Sequence, residues 1–406
     1  MGDPPQLSVI IPKEGEISTD GLEFSENFFI DFLLLTVQQC EFLSCYHHLL
    51  KPKQYYSKRT GYVYVGKIGD ETEQEKLTIG LMKCSMGSGV GGSAVTVQNA
   101  VTTLKPKGVF CVGFCGGMNA KKAKLGDVVV SAKLISYAPR KVTEGGIELR
   151  GTIVPLGKKL NDLLRDADHG WKPPLQNLEE AGKAVNGTML SGPVLVNNKN
   201  ERAKLLEEYP NAIAIEMEGE GVYTAAHDLD IEWAVVKGIS DYADGTKDST
   251  KDWQCYASVM SASLVAHVLR KPRIFKDWLR YDGGSSTKRR RDSQGSPDEN
   301  PASPPKKARM DSVKDGQVSV EDMEELAVQL GDEWIKLGRR LNVRHSVLSD
   351  LNRNAQLYPD LSEKANEMLR KWKTREGDSA TYEVLYDELC HDHVGRKDLA
   401  QKICCH

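Results

Sequence analysis

Two acidic clusters in this chain have the residue types and spacing for bond-breaking chemistry. Glu216-Met217-Glu218 follows the apolar run Ile213–Ile215, and Ser240-Asp241-Tyr242-Ala243-Asp244-Gly245 follows Trp233–Ile239. Two carboxylates that face one crevice suit the cleavage of a glycosidic or N-glycosidic bond. One gives a proton to the leaving group and the other stabilises the cationic sugar. Solvated acids at strand ends are the alternative reading of the same spacing.

For the clusters to cooperate, the fold must bring them together. Gly219–Leu229, between the two runs, reads as a helix. A strand–helix–strand unit with the two strands parallel and side by side is therefore predicted. Both clusters then emerge at the same strand ends, where open α/β sheets bind ligands. Around this unit, Leu7–Ile11 reads as a first strand and residues 22–50 as helical. Within the latter, apolar Phe28–Val37 reads as a core or interface helix. Tyr62–Ile68, Lys76–Cys84, Gly108–Gly113 and Val128–Ser131 read as strands, and Ala94–Leu104 as a helix. Trp253–Leu269 closes this part as an amphipathic helix. Met86–Ser93 is a glycine-rich turn between a strand and a helix, with free N–H groups suited to anions. Its spacing is neither the nucleotide P-loop nor the dinucleotide fingerprint, so no cofactor is expected.

The words themselves are informative. E-M-E follows I-A-I, K-G-I-S-D-x-A-D-G follows V-V, and Gly116-Gly117 is followed by G-D-V-V-V-S at 126–131. They resemble the nucleoside phosphorylase and methylthioadenosine/S-adenosylhomocysteine nucleosidase superfamily, over roughly residues 7–270. The resemblance implies an α/β fold: a three-layer αβα sandwich around a twisted, mostly parallel mixed sheet. It also implies site roles. Asp241 protonates N7 of a purine, for which it must carry a proton when substrate is bound. Glu218 binds the ribose 2′- and 3′-hydroxyls, Met217 packs under the sugar, Glu216 supports the loop beside the substrate, and Ser240 is a substrate contact. A glutamate in the loop after the first strand serves the catalytic water, and Glu14 or Glu16 fills that place. Ser85, Gly87, Ser88 and Gly89 fall beside ribose or phosphate. Cys115 and Gly116 lie where the purine approaches the backbone, although the family often has Ser-Ala where this chain has Phe114-Cys115. Leu195, Val196 and Asn197 lie where the family's backbone reads the adenine edge. Leu195 replaces the aromatic that often stacks on the base.

Composition narrows the class. The 406 residues carry a net charge of −3, so no global attraction to nucleic acid or membrane is expected. Neither direct DNA binding nor a membrane span is expected. The nine cysteines show no CxxC pair and no metal-ligand spacing. A reducing compartment and no metal are expected. The N-terminus has no signal-peptide pattern, and position 6 lacks the hydroxyl residue of a myristoylation site.

Arg273–Gly316 is rich in Ser, Pro, Gly and charge, which predicts a disordered linker over 273–316 between domains at 1–272 and 317–406. Its clusters Lys288–Arg291 and Lys306–Arg309 resemble a bipartite nuclear import signal, with a plain solvated linker as the alternative. Cytoplasmic or nuclear residence follows. Beyond it, leucines and tryptophans at helical spacing predict about six helices, near 320–330, 333–341, 345–353, 359–373, 379–390 and 395–402. LAxxLGxxWIKLGRRL and the later A-T-Y-E-V-L-Y-D-E-L resemble a Death domain, an all-α six-helix bundle that binds its own kind.

Nucleosidase-like domains fused to assembly modules resemble immune effectors that strip adenine from ATP and dATP. The resemblance implies a purine nucleoside or nucleotide as substrate, a homo-oligomer (a dimer or larger), and Death-domain partners through 317–406. Lys13, Arg59, Lys199 and Arg202 are then candidate triphosphate contacts, with a solvated basic face as the alternative for the last two. Methylthioadenosine or adenosine hydrolysis, purine phosphorolysis, and a non-catalytic nucleotide-sensing adaptor stand as alternatives.

Overall fold

Apolar residues of the central strands alternate with period two between two cores. Phe32, Leu34, Phe110, Val112, Val128, Val130, Ala234 and Val236 share one. Leu33, Leu35, Val109, Cys111, Val129 and Val235 share the other. A sheet buried on both faces reads in sequence as continuous apolar runs, and these strands do.

The structure, a computed structural model, describes residues 2–25, 28–69, 75–87, 92–143, 146–281, 313–341, 343, 347–348, 351–352, 358–391 and 394–405. It divides into two units, Met1–Asp292 and Ser293–His406.

The first unit begins with β1 (Leu22–Glu23), β2 (Phe32–Thr36) and α1 (Gln39–Tyr46). β3 (Leu50–Ser57), β4 (Gly61–Ile68), β5 (Leu77–Lys83) and α2 (Ser93–Leu104) follow. Next come β6 (Gly108–Gly117), β7 (Val128–Ser136), β8 (Arg140–Thr143), β9 (Gly146–Leu149), β10 (Ile153–Pro155) and α3 (Lys158–Leu164). The unit then runs through β11 (Ala184–Ser191), α4 (Lys199–Glu208), β12 (Ala212–Glu216), α5 (Gly219–Asp228), β13 (Glu232–Asp241) and α6 (Lys251–Leu269). Helices α1, α3 and α6 pack on the first core, and α2 and α5 on the second, giving helix–sheet–helix layers. Among the described residues, no helix is long and apolar enough to cross a membrane.

The sheet runs β1-β3-β4-β5-β2-β6-β12-β11-β7-β10, with β13 paired to both β6 and β7. β6, β12, β11, β7 and β13 therefore form a closed ring of strands. β12 and β13 are not the adjacent parallel pair that their spacing suggests. β13 runs parallel to β6 and β12 antiparallel to it, so β6 stands between them. The strand ends meet nonetheless, because Gly116 of β6 is the cross-strand partner of both Ile215 and Asp241. Glycine permits this crowding: a Cβ there would lie 3.2 Å from side-chain carbons of both Ala243 and Ile215.

Three other expectations for this unit are corrected. Leu7–Ile11 is not the first strand, and only Leu7 forms a bridge, to Leu175. Residues 22–50 are not one helical stretch, because Phe28–Val37 contains the central strand β2 and only Gln39–Tyr46 is α-helical. Burial on both sheet faces removes the alternation that separates a strand from a helix. Helix α6 is buried nearly all round rather than amphipathic, packed against β13, β6 and α1.

The expected linker is shorter than its composition suggests. Phe275 is buried and packs with Trp278 against Phe32, while Arg280 Nη2 lies 2.7 Å from Asp31 Oδ1. Two aromatics and one buried acid hold residues to 281 on the first unit, against the polar average of the segment. At the other end, Lys314 N donates to Cys404 O at 2.7 Å. Both basic clusters, 288–291 and 306–309, lie outside the described residues.

The second unit contains α7 (Val320–Leu330), α8 (Trp334–Arg340), α9 (Leu361–Glu376), α10 (Tyr382–Cys390) and α11 (Lys397–Cys404). The helix expected over 345–353 falls largely outside the described residues. Trp334, Trp372, Leu326, Leu337, Leu369 and Leu385 are buried in one shared core. Ser319 caps α7 by accepting the Asp322 N–H at 3.0 Å.

Candidate active site

Glu41, Glu216, Glu218 and Asp241 line one cavity at the closed end of the sheet, enclosing about 600 Å³ with the solvent at its mouth included. Each acid is held by its own element.

Asp241 ends β13. The register of β13 on β6 slips between Ile239 and Asp241, a bulge that re-aims the strand end. Asp241 Oδ1 accepts the Ala243 N–H at 2.8 Å, and the Ser240 hydroxyl donates to Oδ2 at 2.9 Å. Ser240 itself is buried and also reaches the Cys115 carbonyl at 3.3 Å, so it orients Asp241.

Glu218 stands at the start of α5. The Gly87 N–H, at a φ of +82° that glycine tolerates, reaches its Oε1 at 3.3 Å. The Ser93 hydroxyl donates to its carbonyl at 2.7 Å, tying α2 to α5. Glu216 ends β12, and its carboxylate accepts the Glu218 and Gly219 N–H groups at 2.9 and 3.0 Å. Burial, and then the neighbouring Glu218, push the Glu216 carboxyl up to about 7. It supports the loop, as the sequence suggests, while Met217 lines the cavity.

Glu41, rather than Glu14 or Glu16, lines the cavity. With β2 as the central strand, the loop after it is Val37-Gln38, and Glu41 sits in the first turn of α1. Its Oε2 accepts the Val37 and Gln38 N–H groups at 2.7 and 2.8 Å, and its Oε1 accepts that of Phe114 at 3.0 Å. Gly113 leaves the room: a Cβ there would lie 1.9 Å from Glu41 Oε1. Glu14 and Glu16 instead form an exposed 3-10 turn with Lys13 as its cap, away from the cavity lining.

Lys237 was not singled out from sequence either. Its side chain is 1 % exposed, with Nζ 3.2 Å from Glu218 Oε2 and 3.9 Å from Glu41 Oε1. Burial opposes its charge, but Cys111 and the surrounding glutamates outweigh this and hold the ammonium well above its ordinary value. A lone lysine inside the apolar run Trp233–Ile239 was the available signal, because a buried charge requires a partner.

Cys115, Gly116, Leu195 and Val196 line the cavity as expected. Burial raises the Cys115 thiol well above its ordinary range, which argues against a nucleophile. Asn197 does not line the cavity; its side-chain oxygen accepts the Gly245 N–H at 2.9 Å. Lys199 is exposed on α4 and away from the lining. Arg202 is committed elsewhere, donating to the Tyr242 carbonyl at 2.8 Å with Asp244 at 3.7 Å. Arg59 is exposed near Asn99. Ser88 and Gly89 lie outside the described residues.

Residues 43–270 match the family model of the phosphorylase superfamily, and residues 321–404 that of the Death domain. A Death domain-containing ATP nucleosidase from Amphimedon queenslandica is 32 % identical over 228 residues. That match covers 52 % of this chain and 42 % of the relative, so it spans less than half of the relative's length. Two solved 5′-methylthioadenosine/S-adenosylhomocysteine nucleosidases share the fold. The Neisseria meningitidis enzyme, in complex with methylthio-immucillin-A, has a TM-score of 0.51 at 20 % identity, covering 60 % of this chain and all (100 %) of that one. The Helicobacter pylori enzyme has a TM-score of 0.50 at 17 % identity, with the same 60 % and 100 % coverage. By the match over its first unit, this chain belongs to the phosphorylase superfamily, and it carries a Death domain in its second unit.

Proposed function

We propose that the first unit hydrolyses the N-glycosidic bond of an adenine nucleotide, ATP or dATP, releasing adenine and the sugar triphosphate. One observation carries this reading: Asp241, Glu218 and Glu41 line a single cavity from three different elements. The base lies against Gly116, Leu195 and Val196. Asp241 delivers a proton to N7, so the electron pair of the C1′–N9 bond leaves with a neutral purine. Glu218 grips the ribose hydroxyls and stabilises the positive charge that develops on the sugar ring. Lys237 Nζ, 3.2 Å from Glu218 Oε2, is the cation nearest to that carboxyl group. Glu41 takes a proton from the water that attacks C1′.

The position of Glu41 favours water over inorganic phosphate. A carboxylate beside the incoming nucleophile serves water as a general base and repels a phosphate dianion. The name of the Amphimedon queenslandica relative supports ATP as the substrate. The Death domain assembles the protein through its own kind, and the first unit self-associates, so that activity follows assembly.

Incubating the purified chain with ATP, with and without inorganic phosphate, tests this reading by chromatography. Free adenine in the absence of phosphate is expected, with Asp241→Asn lowering turnover by about two to four orders of magnitude. Adenine only with phosphate means phosphorolysis, and adenine from no purine substrate rejects the hydrolase.

A further inference from the structure

The charged residues lining the cavity are unequal. Among the described residues, four carboxylates line it, those of Glu41, Glu216, Glu218 and Asp241, and Lys247 is the one cation. Such a lining suits an uncharged nucleoside but repels a polyphosphate unless a cation meets it. None of Lys13, Lys199 and Arg202 is placed to do so.

We infer that Lys247 receives the 5′-phosphate chain of the substrate and sets the preference for a nucleotide over an unphosphorylated nucleoside. The inference rests on the reading that a purine ribosyl ligand occupies this cavity.

Asp241 and Gly116 mark the end assigned to the base. Glu218, backed by Gly87 and Lys237, marks the side assigned to the ribose hydroxyls. Glu41, which accepts N–H groups from Val37, Gln38 and Phe114, marks the side assigned to the attacking water. Lys247 lies beside Phe114, with Nζ 5.9 Å from the centroid of its ring. In a ribonucleoside, C5′ is carried by C4′ on the same face of the ring as the base, opposite the 2′- and 3′-hydroxyls. A sugar whose hydroxyls face Glu218 therefore turns its 5′ group away from Glu218, and Lys247 is the cation that the lining offers it. The ring contact positions Lys247 without neutralising it, so its full charge and its three N–H donors are available to phosphate oxygens. Its backbone stands in the 3-10 turn Lys247–Thr250, just beyond the Asp241 loop. The residue that reads the phosphates and the acid that protonates the base are thus set by one short stretch of chain.

The test compares ATP with adenosine in the full-length protein. Lys247→Met is expected to lower the ratio of kcat/KM for ATP to that for adenosine by about tenfold or more, the size of a charge-assisted hydrogen bond. Lys247→Arg is expected to restore most of it. Equal losses for both substrates, or an unaltered ratio, would overturn the assignment. A second measurement does not depend on turnover. Calorimetric binding of ATP and adenosine to Asp241→Asn, alone and combined with Lys247→Met, should show the same tenfold change in relative affinity. If the wild-type protein releases no adenine, the hydrolase reading fails while this binding ratio still decides the role of Lys247. ATP binding that is absent, or insensitive to the substitution, rejects it.

Discussion

The ammonium of Lys237 lies 3.2 Å from Glu218 Oε2, and both side chains are buried. Neither charge is tolerable there alone.

Lys237→Met keeps much of the side-chain volume and removes the charge, leaving Glu218 and Glu41 buried without it. Unfolding by urea should show a loss of about 3–5 kcal/mol. Adding Glu218→Gln should recover part of that loss. A single variant as stable as the wild type would reject the coupling.

Gly113→Ala tests the space beneath Glu41. The added methyl would meet Oε1 at 1.9 Å, so either the carboxylate or β6 must move. Displacing a reacting group by about 1 Å costs on the order of a hundredfold in rate, and overpacking costs about 1–3 kcal/mol. Turnover and unfolding midpoint should both fall.

Stability should decrease as pH rises toward neutrality because of Glu216. Its carboxyl is raised from 4.5 to about 7, first by burial and then by Glu218. The folded state holds that proton after the unfolded chain has lost it. The contribution is therefore full below about pH 4.5 and lost as pH rises through 7. The groups facing Glu216 are Glu218, Lys237, Cys111 and Ser191. Subtracting the stability curve of Glu216→Gln from that of the wild type should isolate a difference of about 3 kcal/mol across this window. A flat difference would contradict it.

Cys255 should be the first cysteine alkylated. It is exposed, and a hydrogen bond from Cys40 draws its thiol down to about 7, against burial. Iodoacetamide at pH 7.5, read by peptide mass spectrometry, should label it ahead of the other cysteines. Cys40→Ala removes the donor and should slow labelling roughly tenfold.

The acids were legible in sequence where local words carry them. Glu218 and Asp241 stand in short motifs at strand ends, and the structure places both in one cavity. In the second unit, helical spacing alone identified buried Trp334 and Trp372. Glu41 was missed because its place depends on Phe32–Thr36 being a strand, and that run does not alternate. Lys237 was passed over because its partners, Glu218 and Glu41, lie 19 and 196 residues away in sequence. No local pattern announces such a contact. The opposite sense of β12 and β13 was hidden for a related reason. It lies in how each strand pairs with β6, β12 antiparallel and β13 parallel, across more than 90 residues of sequence.

The closed ring of strands also imposes an order of events during synthesis. Among the described residues β13 is the last strand in chain order, yet it is the seam between β6 and β7. Until it emerges, Asp241 and Lys237 are absent and the ring stands open. A chain stopped before β13 therefore lacks one of the four acids that line the cavity, while one that has passed α6 holds every strand of the ring with the second unit still to be made.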